Sequence, residues 1–129
     1  MEYNLYQYLE KNALKYPHNI AINYKKNKLT YTDFLKKINL FVNYFSFTLK
    51  IKKGERIAVL IYNRTEFLLI FYACAKLGII LVPINWRLTS FEIIHIVKDV
   101  DTKYLFSDSD FTKTCKVIKN KITKLNIID

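Results

Sequence analysis

The chain has 129 residues, of which 51% are hydrophobic and 16% aromatic, and it carries a formal net charge of +10. This composition excludes an intrinsically disordered chain, because enough apolar surface is present to build a core, and the length fits one domain spanning residues 1–129. The surplus charge comes from lysines scattered along the whole sequence, which indicates a solvated surface and no nucleic-acid partner.

Compartment signals are few and agree with one another. No basic segment followed by an apolar run opens the chain, and the most apolar stretch, Phe67 to Pro83, is interrupted by Lys76 and Gly78. The two cysteines lie far apart in sequence, which fits free thiols in a reducing compartment. We therefore expect a cytoplasmic protein with no membrane insertion.

The first elements predicted are a helix and a hairpin. Apolar residues between Leu5 and Leu14 recur at helical spacing, and Pro17 ends the segment. Ile20 to Tyr24 then has the pattern of a strand, and a polar turn over Lys25 to Lys28 leads into the return strand.

A long amphipathic helix and a central strand follow. Apolar residues recur every three or four positions from Thr32 onward, with Thr30 or Thr32 as the N-cap. After a turn at Gly54, the nearly continuous apolar run Arg56 to Tyr62 predicts a strand of a parallel sheet that is covered on both faces.

The next segment predicts a right-handed strand–helix–strand unit. Asn63 with Glu66 has the spacing of a capping box, the helix runs over Phe67 to Leu77, and Gly78 is placed for a left-handed C-cap. Ile79 to Pro83 is the second strand of the unit.

The last third of the chain repeats the alternation of helix and strand. Thr89 and Glu92 predict a second capping box, and Tyr104 to Ser107, Asp110 to Asn120 and Asn126 to Ile128 predict a strand, a helix and a short strand. The fold class predicted is α/β, with three layers: a mostly parallel sheet with helices on both faces, preceded by an N-terminal helix and a small hairpin. Since the sequence stops in a strand, we expect the chain to be truncated.

The residue types needed for catalysis are missing. A backbone phosphate cradle needs several nearby glycines, and only Gly54 and Gly78 are present, 24 positions apart. The only histidines, His18 and His95, are isolated, and Cys115 has no nearby histidine, so neither a metal site nor a Cys–His nucleophile is predicted. We predict no catalytic, cofactor-binding or metal-binding residue within these 129 positions.

Four carboxylates flank the third parallel strand that the sequence predicts, Tyr104 to Ser107. They are Asp99, Asp101, Asp108 and Asp110. Acidic residues at strand ends can hold a hard cation, but turn and cap roles are favoured here.

Asn85, Trp86 and Arg87 are the candidate cleft residues, because they follow a parallel strand, where ligands of open α/β sheets bind. The alternative, which is favoured, is structural: Asn85 turns the loop and Arg87 pairs with a carboxylate.

Several sequence motifs resemble one enzyme family. Leu29-Thr30-Tyr31, the turn and strand from Lys52 to Val59, the run from Asn63 to Phe67 and the segment Pro83-Ile84-Asn85-Trp86-Arg87-Leu88-Thr89 occur in the order found in the N-terminal part of adenylate-forming acyl-CoA synthetases. The last segment is most similar to members that ligate fatty or aromatic acids to coenzyme A.

The resemblance implies an N-terminal fragment of an AMP-dependent acyl-CoA synthetase, truncated before the phosphate loop. In that family a carboxylate is joined to AMP and then transferred to coenzyme A, with ATP, Mg²⁺ and coenzyme A as cofactors of the full-length enzyme. None of these cofactors is expected to bind this chain alone, which is not expected to be active by itself. The implied partner is the remainder of the synthetase, in the same or a separate chain, or a second copy of this one. Two alternatives stay open, a stand-alone interaction or structural module with the same fold and a basic nucleic-acid-binding domain.

Overall fold

The computed structural model describes residues 3–129, which form two compact units. One unit comprises the residues up to Lys53 together with Arg64–Ile79, and the other comprises Gly54–Asn63 and Ile80–Asp129. Neither unit is a continuous stretch of sequence. The count of one domain over residues 1–129 stays a prediction.

Three helices form the body of the first unit: α1 (Leu5–Lys15), α2 (Tyr31–Asn43) and α3 (Thr65–Leu77). They pack against one another, and each buries apolar side chains at helical spacing. The buried residues are Tyr6, Leu9 and Ala13 of α1, Phe34, Ile38 and Val42 of α2, and Leu69, Ile70, Ala73 and Cys74 of α3.

The predicted hairpin is confirmed in this unit. Strands β1 (Ile20–Tyr24) and β2 (Asn27–Thr30) pair antiparallel, and Tyr24 lies opposite Asn27. Lys25 therefore sits in a two-residue turn and has a positive φ of 54°, as tight hairpin turns require. Thr30, at the end of β2, accepts a hydrogen bond from the Asp33 backbone N–H and caps α2, as predicted.

The second unit contains a four-stranded sheet formed by β3 (Arg56–Leu60), β4 (Ile80–Pro83), β5 (Tyr104–Ser107) and β6 (Asn126–Ile128). The strand order is β4-β3-β5-β6, and every pair is parallel. Residues Ile57 to Leu60 of β3 are at most 1% exposed, so this inner strand is buried on both faces, as its continuous apolar run predicted. The side chains of Ile57, Val59 and Leu60 each contribute roughly 1.5–3 kcal/mol when fully buried.

Helices α4 (Ser90–Asp99) and α5 (Thr112–Lys121) cover one face of this sheet. Ala58, Leu60 and Leu105 of the sheet belong to a single apolar cluster with Ile93 of α4 and Ile118 of α5. The predicted capping box at the start of α4 is confirmed: Thr89 and Glu92 exchange hydrogen bonds between side chain and backbone. The predicted α/β class, with a parallel sheet preceded by a helix and a hairpin, is confirmed as well.

Three local predictions are wrong in detail. Strand β3 ends at Leu60, two residues before Tyr62. Helix α3 has Arg64 at its N-cap with no side-chain cap hydrogen bond, so the capping box from Asn63 does not form. The reason is that the helix begins at Thr65, one residue later than a capping box from Asn63 needs, so Glu66 is the second helical residue and not the third. The last predicted helix begins only at Thr112, after a short 3₁₀ turn over Ser109–Phe111.

Candidate functional site

The carboxyl ends of the parallel strands in the second unit meet at one edge of the sheet. Just beyond β3, β4 and β5, the chain places an aromatic residue at this edge: Tyr62, Trp86 and Phe111 respectively. Open parallel sheets bind ligands outside this edge, so these residues lie where a site is expected. We call these three residues the edge cluster.

The rings of the edge cluster contact one another through Tyr62. Its ring centroid lies 5.0 Å from that of Trp86, with an interplanar angle of 70°, and 4.9 Å from that of Phe111. Tilted and edge-on pairs of this kind are worth about 0.5–1.5 kcal/mol beyond the area that they bury. Phe111 is 7% exposed whereas Trp86 is 40% exposed, so the cluster runs from the core of the unit to its surface.

Asn85 stabilises the backbone turn beside the edge cluster, and Arg87 places a positive charge next to it. The Asn85 Oδ1 accepts a hydrogen bond of 3.0 Å from the Arg87 backbone N–H, which makes a local side-chain turn. The Arg87 guanidinium carbon lies 5.0 Å from the Trp86 ring centroid, close enough for a cation–π contact. Asn85 therefore turns the loop as expected. The expected carboxylate partner of Arg87 is not found among residues 3–129, because the guanidinium lies over the indole instead. A cleft role for Asn85, Trp86 and Arg87 stays a prediction.

Neither cysteine has the environment of a nucleophile. Burial raises the pKa of Cys74 to about 12. Burial also raises the pKa of Cys115, against the opposing effect of its hydrogen bond with Ser107, whose Oγ lies 3.1 Å from the sulfur. Both thiols are thus protonated at neutral pH, and a protonated thiol is a poor nucleophile.

The four aspartates separate into two pairs at opposite ends of β5. Asp99 and Asp101 precede the strand, and Asp108 and Asp110 follow it. Asp108 accepts a hydrogen bond from the Asp110 backbone N–H and Asp101 has a φ of 51°, which are a cap role and a turn role. Within the described part of the chain, no group of three His, Cys, Asp or Glu side chains could hold a metal ion.

Tyr62 and Phe111 are site residues that the sequence did not reveal. The sequence pattern places Tyr62 in the preceding strand and Phe111 in the following helix, so it predicts neither residue at the sheet edge. The available signal was positional: an aromatic residue follows the apolar run of each of three parallel strands.

No helix in residues 3–129 is both long enough and apolar enough to cross a bilayer.

Comparison with known proteins identifies the family. The family model described as AMP-binding enzyme matches residues 9–128. The chain belongs to this family. Among its relatives in the family, the long-chain-fatty-acid–CoA ligase FadD13 of Mycobacterium tuberculosis is 47% identical over 55 residues, which are 43% of this chain and 11% of FadD13.

Solved structures of family members share the fold. The N-terminal domain of FACL13 from Mycobacterium tuberculosis superposes with a TM-score of 0.89 at 27% identity, over 98% of this chain and 33% of that one. The o-succinylbenzoate CoA synthetase MenE of Bacillus subtilis, in complex with its acyl-adenylate intermediate, gives 0.85 at 25% identity, over 100% of this chain and 32% of that one. The chain thus spans about a third of these two structures.

Proposed function

We propose that these 129 residues are the N-terminal part of an AMP-forming acid–CoA ligase. The whole enzyme would join a fatty or aromatic carboxylic acid to AMP, release pyrophosphate, and transfer the acyl group to the thiol of coenzyme A. The observation that carries this proposal is the family match, which extends over residues 9–128 and so includes both compact units. The substrate class is supported by the relatives, which are a long-chain-fatty-acid ligase and an o-succinylbenzoate synthetase.

The residues of this chain do not form a site that could hold a nucleoside triphosphate for catalysis. Gly54 and Gly78, the only glycines of the chain, both have a positive φ, and they end a turn and a helix respectively. A methyl group on Gly78 would lie 2.8 Å from the Lys53 Cγ, so this backbone is already covered by a side chain and cannot cradle a phosphate. The residues that hold ATP, Mg²⁺ and coenzyme A for catalysis would therefore lie outside this chain.

The contribution of this chain would be a wall of the ligand site at the carboxyl edge of the sheet. Trp86 offers an exposed aromatic face, and Arg87 offers a positive charge in contact with that face. Tyr62 and the side-chain turn of Asn85 hold this pair in place. The partner implied is the remainder of the synthetase.

The decisive experiment combines the coding DNA with an exchange assay. Reading the DNA beyond the codon for Asp129 should reveal a Ser/Thr/Gly-rich phosphate-loop motif, in frame or just out of frame. Carboxylate-dependent exchange between ATP and pyrophosphate should be absent for the isolated chain. It should be present when the chain is joined to that downstream segment and offered fatty or aromatic acids.

Unrelated downstream sequence would contradict the proposal, as would exchange activity by the isolated chain. In the joined protein, Arg87→Ala should raise the KM for the carboxylic acid, whereas Arg56→Ala, which changes an exposed arginine at the opposite end of the sheet, should leave it unchanged. Equal kinetics for both variants would rule out a ligand role for Arg87.

A further inference from the structure

A basic cavity of about 830 Å³ lies in the first unit. Its walls come from the β1–β2 turn, from α2 and from the first turn of α3. Its charged lining residues are Lys25, Lys26, Lys28, Lys37, Arg64 and Glu66. Five basic residues and one acidic residue therefore line a single concave surface.

The fold gathers these charges from separate parts of the sequence. The hairpin lysines, Lys37 and Arg64 come from three separate stretches of the sequence, in which lysines occur along the whole length. Charges of one sign gathered around one concave surface add to the local potential, so this surface attracts anions.

The size and shape of the cavity narrow the class of ligand. A volume near 830 Å³ is within the range of roughly 300–1,000 Å³ that small-molecule sites occupy, and it exceeds the need of a single inorganic anion. A duplex nucleic acid would instead require basic residues along an extended face. Cations on several walls of one cavity match a small molecule with several anionic groups.

The N-terminus of α3 adds a partial positive charge to that of the five basic residues. Thr65 and Glu66 line the cavity, and no side chain caps the helix there. Backbone N–H groups at such a helix start favour a phosphate oxygen nearby.

We propose that this cavity binds a small ligand carrying two or more phosphate groups, through lysine side chains rather than a backbone cradle. This site is separate from the edge cluster, which lies in the other unit. It predicts binding without adenylation chemistry, so its test does not depend on the function proposed above.

The test is a titration of the isolated 129-residue chain with inorganic tripolyphosphate, followed by calorimetry and by backbone amide NMR. Saturable binding should shift the amides of residues 25–28 and 64–66. The variant K26Q/K28Q should bind about tenfold more weakly, since two exposed charge contacts are lost. Both lysines are exposed, and Lys25 is left in place because it has the positive φ of the turn.

The matched control is K113Q/K116Q, which removes two exposed lysines from α5 and makes the same change in net charge. The control should bind like the unmodified chain, and circular dichroism should show that both variants are folded. Equal weakening in the two variants would overturn the proposal, because binding would then follow net charge alone.

Two further arms distinguish the sources of the phosphate groups. Tripolyphosphate binding that is lost in K26Q/K28Q supports a soluble ligand. Binding only to vesicles of phosphatidylcholine with 5% phosphatidylinositol bisphosphate, with the same loss, supports a lipid headgroup. If neither probe binds, or if only a random DNA duplex does, the proposal fails.

Discussion

A group of three hydrogen-bonded side chains connects the three helices of the first unit, which otherwise bury apolar residues against one another. The Tyr6 hydroxyl donates to Asn39 Oδ1 at 2.9 Å, and the Lys76 ammonium donates to the same hydroxyl at 3.1 Å. The ammonium also lies 4.4 Å from the Tyr6 ring centroid. One residue from each of α1, α2 and α3 is thereby tied to the others, which fixes the register of three helices whose remaining contacts are largely apolar.

Removing the Tyr6 hydroxyl should measure how much these hydrogen bonds contribute to the free energy of unfolding. Because Tyr6 is 3% exposed, Tyr6→Phe keeps the buried ring but removes the hydroxyl that donates to Asn39 Oδ1, which keeps only the longer bond of 3.3 Å from the Lys76 ammonium. We expect a loss of about 0.5–1.5 kcal/mol in the free energy of unfolding. Tyr8→Phe, on the same helix but 56% exposed, should change it by less than about 0.5 kcal/mol. Urea unfolding of both variants checks the prediction, and equal effects would show that the hydroxyl is not a structural contact.

Gly78 provides the second test at this scale. Its φ of 68° is the left-handed conformation of a helix C-cap, and a methyl group there would meet Lys53. Gly78→Ala should cost about 1–2 kcal/mol, and Gly78→Asn should cost less, because Asn tolerates this conformation.

Gly54 is the matched control for Gly78, since its φ is 86° but nothing lies within 4 Å of an added methyl group. Gly54→Ala should therefore show the cost of backbone strain alone. In a Lys53→Ala background, the contact part of the Gly78→Ala cost should disappear. If that background leaves the cost unchanged, the contact with Lys53 does not contribute.

At the scale of elements, the sequence predicts two capping boxes, and only one of them forms. The spacing of Thr89 and Glu92 predicted a capping box correctly, whereas the same spacing at Asn63 and Glu66 did not form one. Both pairs satisfy the local rule, so the difference lies in where the chain leaves the preceding strand. That point depends on sheet pairing, and the paired register of β3 ends at Leu60.

The end of α2 could not be predicted from apolar periodicity either. Tyr44–Thr48 form a π-helical turn, in which the Leu49 N–H donates to the Tyr44 carbonyl at 2.9 Å. Apolar residues at three- and four-residue spacing suit both this turn and an α-helix, so the pattern carries no signal for the change. The strands, by contrast, were predictable, because short apolar runs between turn residues have few other solutions in a sheet buried on both faces.

The α4 capping box gives a prediction with a defined pH dependence. Hydrogen bonds from the Thr89 backbone and then from its side chain lower the pKa of Glu92 below its ordinary value. A carboxyl group with a depressed folded-state pKa stabilises the protein above its unfolded pKa, and this stabilisation is lost as the pH falls through the folded pKa. Thr89→Ala should cost about 1 kcal/mol at neutral pH, as N-cap truncations do.

The matched variant is Thr89→Ser, which keeps the hydroxyl and should retain most of the stability. NMR titration of the Glu92 carboxyl group should show its pKa moving back toward the ordinary value in Thr89→Ala and staying low in Thr89→Ser. An unchanged pKa in Thr89→Ala would mean that the hydroxyl contact does not form in solution.

At the scale of the whole molecule, the order of the segments bears on the number of domains. The chain passes from the first unit to the second at residue 54, returns at 64, and leaves again at 80. Helix α3 of the first unit is therefore joined at both ends to strands of the second, β3 and β4. Each unit thus has one segment that is joined to the other unit at both ends, 64–79 in the first and 54–63 in the second. Such a segment has little freedom to unfold alone, so we expect one cooperative transition.

The two buried cysteines make this expectation measurable, because Cys74 belongs to the first unit and Cys115 to the second. In Cys115→Ser, a thiol reagent reports the opening of the first unit through Cys74; in Cys74→Ala, it reports the opening of the second through Cys115. Both thiols are buried, and burial raises their pKa values in the folded chain, so labelling is slow until the unit opens. With each free energy corrected for the stability change of its own substitution, the two probes should give the same free energy of opening across a urea series. This free energy should equal the free energy of unfolding that is measured from the fluorescence of Trp86, the only tryptophan.

Labelling of one cysteine at clearly lower urea than the other would instead divide residues 1–129 into two domains of unequal stability.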